Sequence, residues 1–175
     1  MNAIRFQPLR GRMTFAVLGL GLNGLHGAVI AVLALTGSTF VLEGWIAWML
    51  LLGGGLPFIA WLFDARTNLE GVEPRLRWHP IWSHTSWFIP VLCLVVPLFV
   101  VREIDGATQR LANGSDRTGL FAVWATSWTV FQIAWFVSGG LVMGVVEVVA
   151  ATAAVLLVLR ITALQQIAGS PRLVA

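Results

Sequence analysis

Trp87-Phe88-Ile89-Pro90-Val91-Leu92-Cys93-Leu94-Val95-Val96-Pro97-Leu98-Phe99-Val100-Val101 is the stretch on which the fold turns. It carries no charge, amide or hydroxyl, so lipid is a natural solvent for it. It is also 15 residues long, against the roughly 20 that a crossing helix needs. Pro90 and Pro97 each remove a backbone donor and interrupt helical hydrogen bonding. The stretch either passes through a bilayer as a bent helix or dips in and returns.

The arginines decide between these readings. All 11 basic residues are arginine, and all lie outside four stronger apolar runs at residues 13–35, 45–63, 118–137 and 141–159. If residues 87–101 also cross, Arg5, Arg10, Arg12, Arg66, Arg75 and Arg77 fall on one side and Arg102, Arg110, Arg117, Arg160 and Arg172 on the other, six against five. If they return, all 11 share one side and only Glu43 is charged on the other. Positive charge resists translocation, so the second arrangement is preferred. The expected fold is therefore all-α: a multi-pass transmembrane bundle of four crossing helices plus a proline-broken re-entrant or interfacial segment. Five crossing helices are the alternative. Residues 1–175 form a single membrane domain, and both termini are expected in the cytoplasm of a bacterial cell, with the bundle in its cytoplasmic membrane.

Composition agrees. The chain is 58% hydrophobic and 11% charged, whereas a soluble domain carries about 25% charged residues. The net charge of +3 comes from arginines scattered beside apolar runs, which fits topology and lipid contact better than nucleic acid. Cys93 is the lone cysteine and forms no internal disulfide. The first run exceeds the roughly 7–15 residues of a signal-peptide core and reads as an uncleaved helix.

Further features follow along the chain. Gly53, Gly54, Gly55 and Pro57 sit inside the second run and predict a kink whose freed carbonyl must face protein or water. Residues 64–85 read as a polar segment lying along the interface, its end dotted with Trp78, Trp82 and Trp87, which favour the headgroup level, and residues 102–117 as a polar loop. Arg66, Arg75, Arg77, Arg102, Arg110 and Arg117 would form a headgroup-facing surface able to attract anionic lipid. Six acids are interleaved with them, and ion pairing within the protein competes equally. Ser138-Gly139-Gly140 reads as a tight hairpin turn.

Glu147 is the one acid within a strong run. A carboxylate there is costly and should face the bundle interior. At 1.5 Å per residue Glu147 and Gln132 lie roughly 8–9 Å from their helix ends and His26 roughly 13 Å. Asn23 is one turn from His26. A polar cluster of Asn23, His26, Gln132 and Glu147 is thus feasible, either as a proton- or substrate-binding site or as interhelical hydrogen bonding that fixes packing. His79 and His84 lack metal-ligand spacing, and only His26 could serve as an axial haem ligand in the bilayer. No metal or cofactor is expected.

The order Trp61-Leu62-Phe63-Asp64-Ala65-Arg66-Thr67-Asn68, then Pro80-Ile81-Trp82, Trp87-Phe88-Ile89-Pro90, Pro97, Arg102-Glu103-Ile104 and finally Leu159-Arg160-Ile161-Thr162-Ala163-Leu164-Gln165 resembles the bacterial membrane family catalogued as domain of unknown function 4328, common in actinobacteria. Residues 91–96 are wholly apolar here where the family often has a polar residue, and the turn at 138–140 is shorter than usual for it. The resemblance implies a multi-pass membrane protein and no assigned activity. Without catalytic motifs, the expected function is a non-enzymatic bundle, in contact with membrane lipids, that assembles with itself or with another membrane protein. The alternative is a small transporter or channel subunit working through the Glu147 and His26 cluster.

Overall fold

A computed structural model describes residues 6–37, 44–89, 92–112, 119–137 and 140–169, apart from the side chains of residues 44–48, 51 and 135–137. The elements are α1 (Arg10–Leu35), α2 (Gly44–Leu69), α3 (Trp82–Thr85), a 3-10 turn (Leu92–Leu94), α4 (Val96–Leu111), α5 (Leu120–Val137) and α6 (Gly140–Gly169). The described residues contain no strand. Helices α1 and α6 are long and apolar enough to cross a membrane. Pro90, Arg117 and the Ser138-Gly139 turn lie outside the described residues.

The four long helices stand in the order α2, α1, α6, α5, each packed on the next. Two close approaches hold the middle of this row. A Cβ placed on Gly27 of α1 would lie 2.8 Å from the Gly144 carbonyl oxygen of α6, and one on Gly144 would lie 2.5 Å from the Gly27 oxygen. Likewise a Cβ on Gly19 would meet the Gly53 oxygen of α2 at 2.6 Å. Only glycine allows backbones this near, and between helices in lipid such contact replaces the missing hydrophobic drive.

The Gly53 contact has a second cause. Pro57 sits inside α2, which runs on unbroken to Leu69, and its missing N–H orphans the carbonyl four residues earlier, that of Gly53. The hydrogen of Gly19 that stands where a Cβ would be points at this oxygen, the arrangement of a weak Cα–H···O contact. The freed carbonyl thus faces protein. At the other end α1 stops at Thr36, and Gly37 (φ 68°) takes the left-handed conformation common after a helix.

Several sequence expectations are corrected. Helix α2 continues six residues beyond 63 and α6 ten beyond 159, so parts of both supposedly polar tails are helical. Pro97 does not break an embedded segment; it lies in the first turn of α4, where a missing N–H costs nothing. Residues 102–111 are not a loop but the rest of that helix. It is amphipathic: Val100, Ile104, Ala107 and Thr108 are buried while Phe99 and Arg102 are exposed. Its buried face packs on α6 and α2.

Charge gathers at one end of the bundle. Arg12 of α1 holds Asp64 of α2 with two contacts of 2.8 Å. Arg66 Nε lies 3.8 Å from Glu103 of α4, Arg110 Nε lies 3.1 Å from Glu73, and Arg160 of α6 binds Asp105. Arg66 precedes the apolar 87–101 stretch and Glu103 follows it, so that stretch leaves and regains the same end of the bundle. Asn68, Gln165 and Thr108 tie the same end together: Asn68 Nδ2 donates to Gln165 Oε1 at 3.1 Å, and Gln165 Nε2 donates to Thr108 Oγ1 at 3.2 Å.

Candidate functional site

Asn23 and His26 lie three residues apart on α1 and therefore on one face. That face is buried. Glu147 comes to it from α6, because Gly27 leaves room: a Cβ on Gly27 would sit 2.9 Å from that of Glu147. His26 Nδ1 then lies 3.1 and 3.0 Å from the two carboxylate oxygens. A carboxylate only accepts, and a neutral imidazole nitrogen either donates or accepts. The contact therefore needs one proton between the two groups, carried by the ring or by the acid.

Beside this pair is a cavity of about 360 Å³. It occupies the gap between α2 and α5, which are at opposite ends of the helix row. Asn23, Gln132 and Glu147 are on its wall, and His26 stands behind Glu147. The remaining wall is apolar. Phe58, Trp87, Trp124, Trp128 and Phe131 form a connected aromatic lining, with Phe58 edge-on to Trp87 at 5.6 Å, Trp87 edge-on to Trp128 at 5.5 Å, and Trp124 stacked on Trp128 at 6.3 Å. Leu52, Leu56 and Phe88 also line the cavity, yet they are 47%, 48% and 61% exposed. These three mark a lateral mouth on the apolar flank of the bundle.

Asn23 and Trp128 are wall residues, and each has one side-chain atom that lacks a partner among the described residues and is sealed from the cavity: the Asn23 Oδ1 accepts no hydrogen bond and the Trp128 Nε1–H has no acceptor. A buried unsatisfied group costs about 1–3 kcal/mol, a cost borne by the packing around the cavity. Trp61 is unlike them: its Nε1–H donates to Thr162 Oγ1 at 3.0 Å and its ring belongs to the core.

The sequence-derived residues thus fall into three groups. His26 and Glu147 meet, and Asn23 and Gln132 share a cavity with Glu147. Gly55 lies on the same wall, while Gly53 and Gly54 serve the α1–α2 contact instead. Among the arginines, Arg75, Arg77, Arg102 and Arg110 are exposed. Arg66 is a correction: it is 4% exposed, donates to the Trp78 carbonyl oxygen and lies between Glu70 and Glu103, so it cannot face headgroups. Trp87, expected at an interface, instead reaches into the bundle against Phe58 and Trp128.

Glu73 belongs to the charged end. Burial pushes its carboxyl up, but hydrogen bonds from Arg110 and from the Arg75 backbone N–H, with both guanidinium charges, outweigh burial and hold it below the ordinary carboxylate value. Among the described residues no three His, Cys, Asp or Glu side chains are grouped to hold a metal ion.

Sequence reasoning missed the aromatic lining and Asn68 with Gln165. The spacing of Trp124 and Trp128 showed that they share a helix face, but not that Trp87 would join them. A family model described as a domain of unknown function (DUF4328) matches residues 27–141. The match begins and ends earlier than the 61–166 stretch whose motifs suggested it. Neither the curated proteins nor the solved structures yield a match.

Proposed function

We propose a function from the premise that the chain belongs to the DUF4328 family: it is a non-enzymatic membrane protein that receives a small amphipathic molecule from the bilayer into the cavity between α2 and α5. Helices α1, α2, α5 and α6 cross the membrane. Helices α3 and α4 lie at the arginine-rich end, which faces the cytoplasm of a bacterial cell. The contact of Arg66 with Glu103 supports four crossings over five, because a stretch that crossed between them would part them by a bilayer's thickness.

One observation carries the binding role. The cavity joins an apolar aromatic wall and a lateral mouth to a polar end made of Asn23, Gln132 and Glu147. Mostly apolar sites with a few convergent polar groups are the usual form of small-molecule pockets. The His26–Glu147 pair keeps a proton at that polar end, which suits a carrier whose cargo exchanges with a proton.

Native mass spectrometry of the protein released from lipid nanodiscs tests the binding. Wild type should retain a small-molecule adduct, and Leu56→Trp, which fills the mouth, should lose it. A wild type free of adduct after exposure to bacterial lipid extract would defeat the reading. Topology is tested separately by a membrane-impermeant thiol reagent. In a Cys93→Ser background, Arg75→Cys and Arg102→Cys should label from the same side; labelling from opposite sides would restore five crossings.

Self-assembly is the second reading. A groove between α5 and α6, lined by Ala122, Thr126, Ser127 and Val146 among others, offers the small residues that favour helix contact in lipid. Cross-linking from Thr126→Cys would produce dimers if this groove is an interface.

A further inference from the structure

The cavity's polar end is biased in charge, and that bias names the chemistry of its guest. This inference rests on the binding role proposed above. Among the described residues of the wall Glu147 is the one carboxylate and no arginine joins it; the His26 imidazole stands behind it, away from the cavity. Asn23 and Gln132 add uncharged polar side chains beside it. The rest of the wall presents aromatic rings from three different parts of the chain: Phe58 of α2, Trp87 after α3, and Trp124, Trp128 and Phe131 of α5. Ring faces attract cations, most strongly when water is absent. A carboxylate and indole rings converge on one kind of ligand.

We propose that the cavity binds a lipophilic organic cation, an ammonium or phosphonium centre on an apolar body, with the charge beside Glu147 and Asn23 and the body against the indoles. An anion of the same shape would meet the Glu147 carboxylate and the negative faces of the rings. A neutral molecule of the same shape would fill the wall but leave the carboxylate without a counter-charge. The mouth at Leu56 and Phe88 admits such a cation from the lipid phase, where it already partitions.

Isothermal titration of the protein in nanodiscs with tetraphenylphosphonium, tetraphenylborate and neutral triphenylphosphine oxide tests this. The cation should bind once per chain, and the borate should not bind. Glu147→Gln should weaken the cation by about tenfold or more, as loss of the attraction between two unit charges out of water would, whereas Glu147→Asp should retain most of the affinity. Trp128→Leu should weaken it several-fold while leaving the Glu147–His26 pair in place, so the proposal does not hang on one variant folding. Cation affinity untouched by both Glu147→Gln and Trp128→Leu would overturn it, as would borate or phosphine oxide binding as tightly as the cation. If none of the three binds but wild type still carries an adduct that Leu56→Trp loses, the cationic class fails and the cavity stands. If the adduct is absent too, both readings fail together.

Discussion

The charged end of the bundle and its apolar middle are held together by opposite means. At the end, long side chains reach across gaps: Arg12 to Asp64, Arg66 to Glu103, Arg110 to Glu73, Arg160 to Asp105. In the middle there is almost no side chain at the contact, and Gly27 meets Gly144 backbone to backbone. The first kind of contact adapts when a neighbour changes, because flexible chains can be rearranged. The second cannot, because nothing is left to move except the helices themselves. The middle also carries the one His–Glu pair, so its rigid spacing sets the proton-holding geometry.

The largest expected effect tests the adaptable end at its least adaptable point. Arg66→Ala removes a buried guanidinium, takes the donor from the Trp78 carbonyl oxygen and leaves Glu103 with only the Arg77 and Trp78 backbone N–H groups, a loss of about 3 kcal/mol, the lower end for a broken buried pair. Unfolding titrated with sodium dodecyl sulfate in mixed micelles would measure it, and a loss comparable to that of the exposed Arg102→Ala would break the distinction drawn here. Gly144→Leu comes next. Overpacking costs about 1–3 kcal/mol, and it should also part His26 from Glu147, visible as a changed imidazole chemical shift in nuclear magnetic resonance. Thr162→Val is smaller, about 1 kcal/mol for the hydrogen bond lost by Trp61, read in the same titration.

The smallest effect is a pH dependence confined to the charged end. Glu73 has a folded value below its ordinary 4.5. Its contribution to stability is therefore complete above that ordinary value and is lost as pH falls through the lower folded one. Glu73→Gln should flatten stability against pH in this acid range and leave the neutral range unchanged in slope. An unaltered acid limb in the variant would show that Glu73 is not responsible.

The sequence carried the end better than the middle. Arginine placement grouped the residues before and after 87–101, and Arg66 and Glu103, one from each side of that stretch, lie 3.8 Å apart. It also found Asn23, His26, Gln132 and Glu147, because a polar atom in an apolar run is conspicuous. It could not find Arg66 as a buried group, since charge in a polar stretch gives no sign of burial. It misjudged Pro97 because a proline looks the same within a helix's first turn as inside a break. It did not see the cavity, because a gap depends on which helices are not neighbours. That order, α2 and α5 at the two ends of the row, is a property of the whole packing.

Pro57 gives α2 a last consequence. The oxygen of Gly53 has no amide donor one turn on and faces Gly19 of the neighbouring helix instead. Bending α2 here breaks no amide hydrogen bond, and the resistance comes from the packing of Gly53 and Gly54 against Gly19. The stretch of cavity wall that bears Leu52 is thus joined to the rest of its helix by one hydrogen bond fewer than an unbroken helix has, while Arg12 and Asp64 clamp the far side of Pro57.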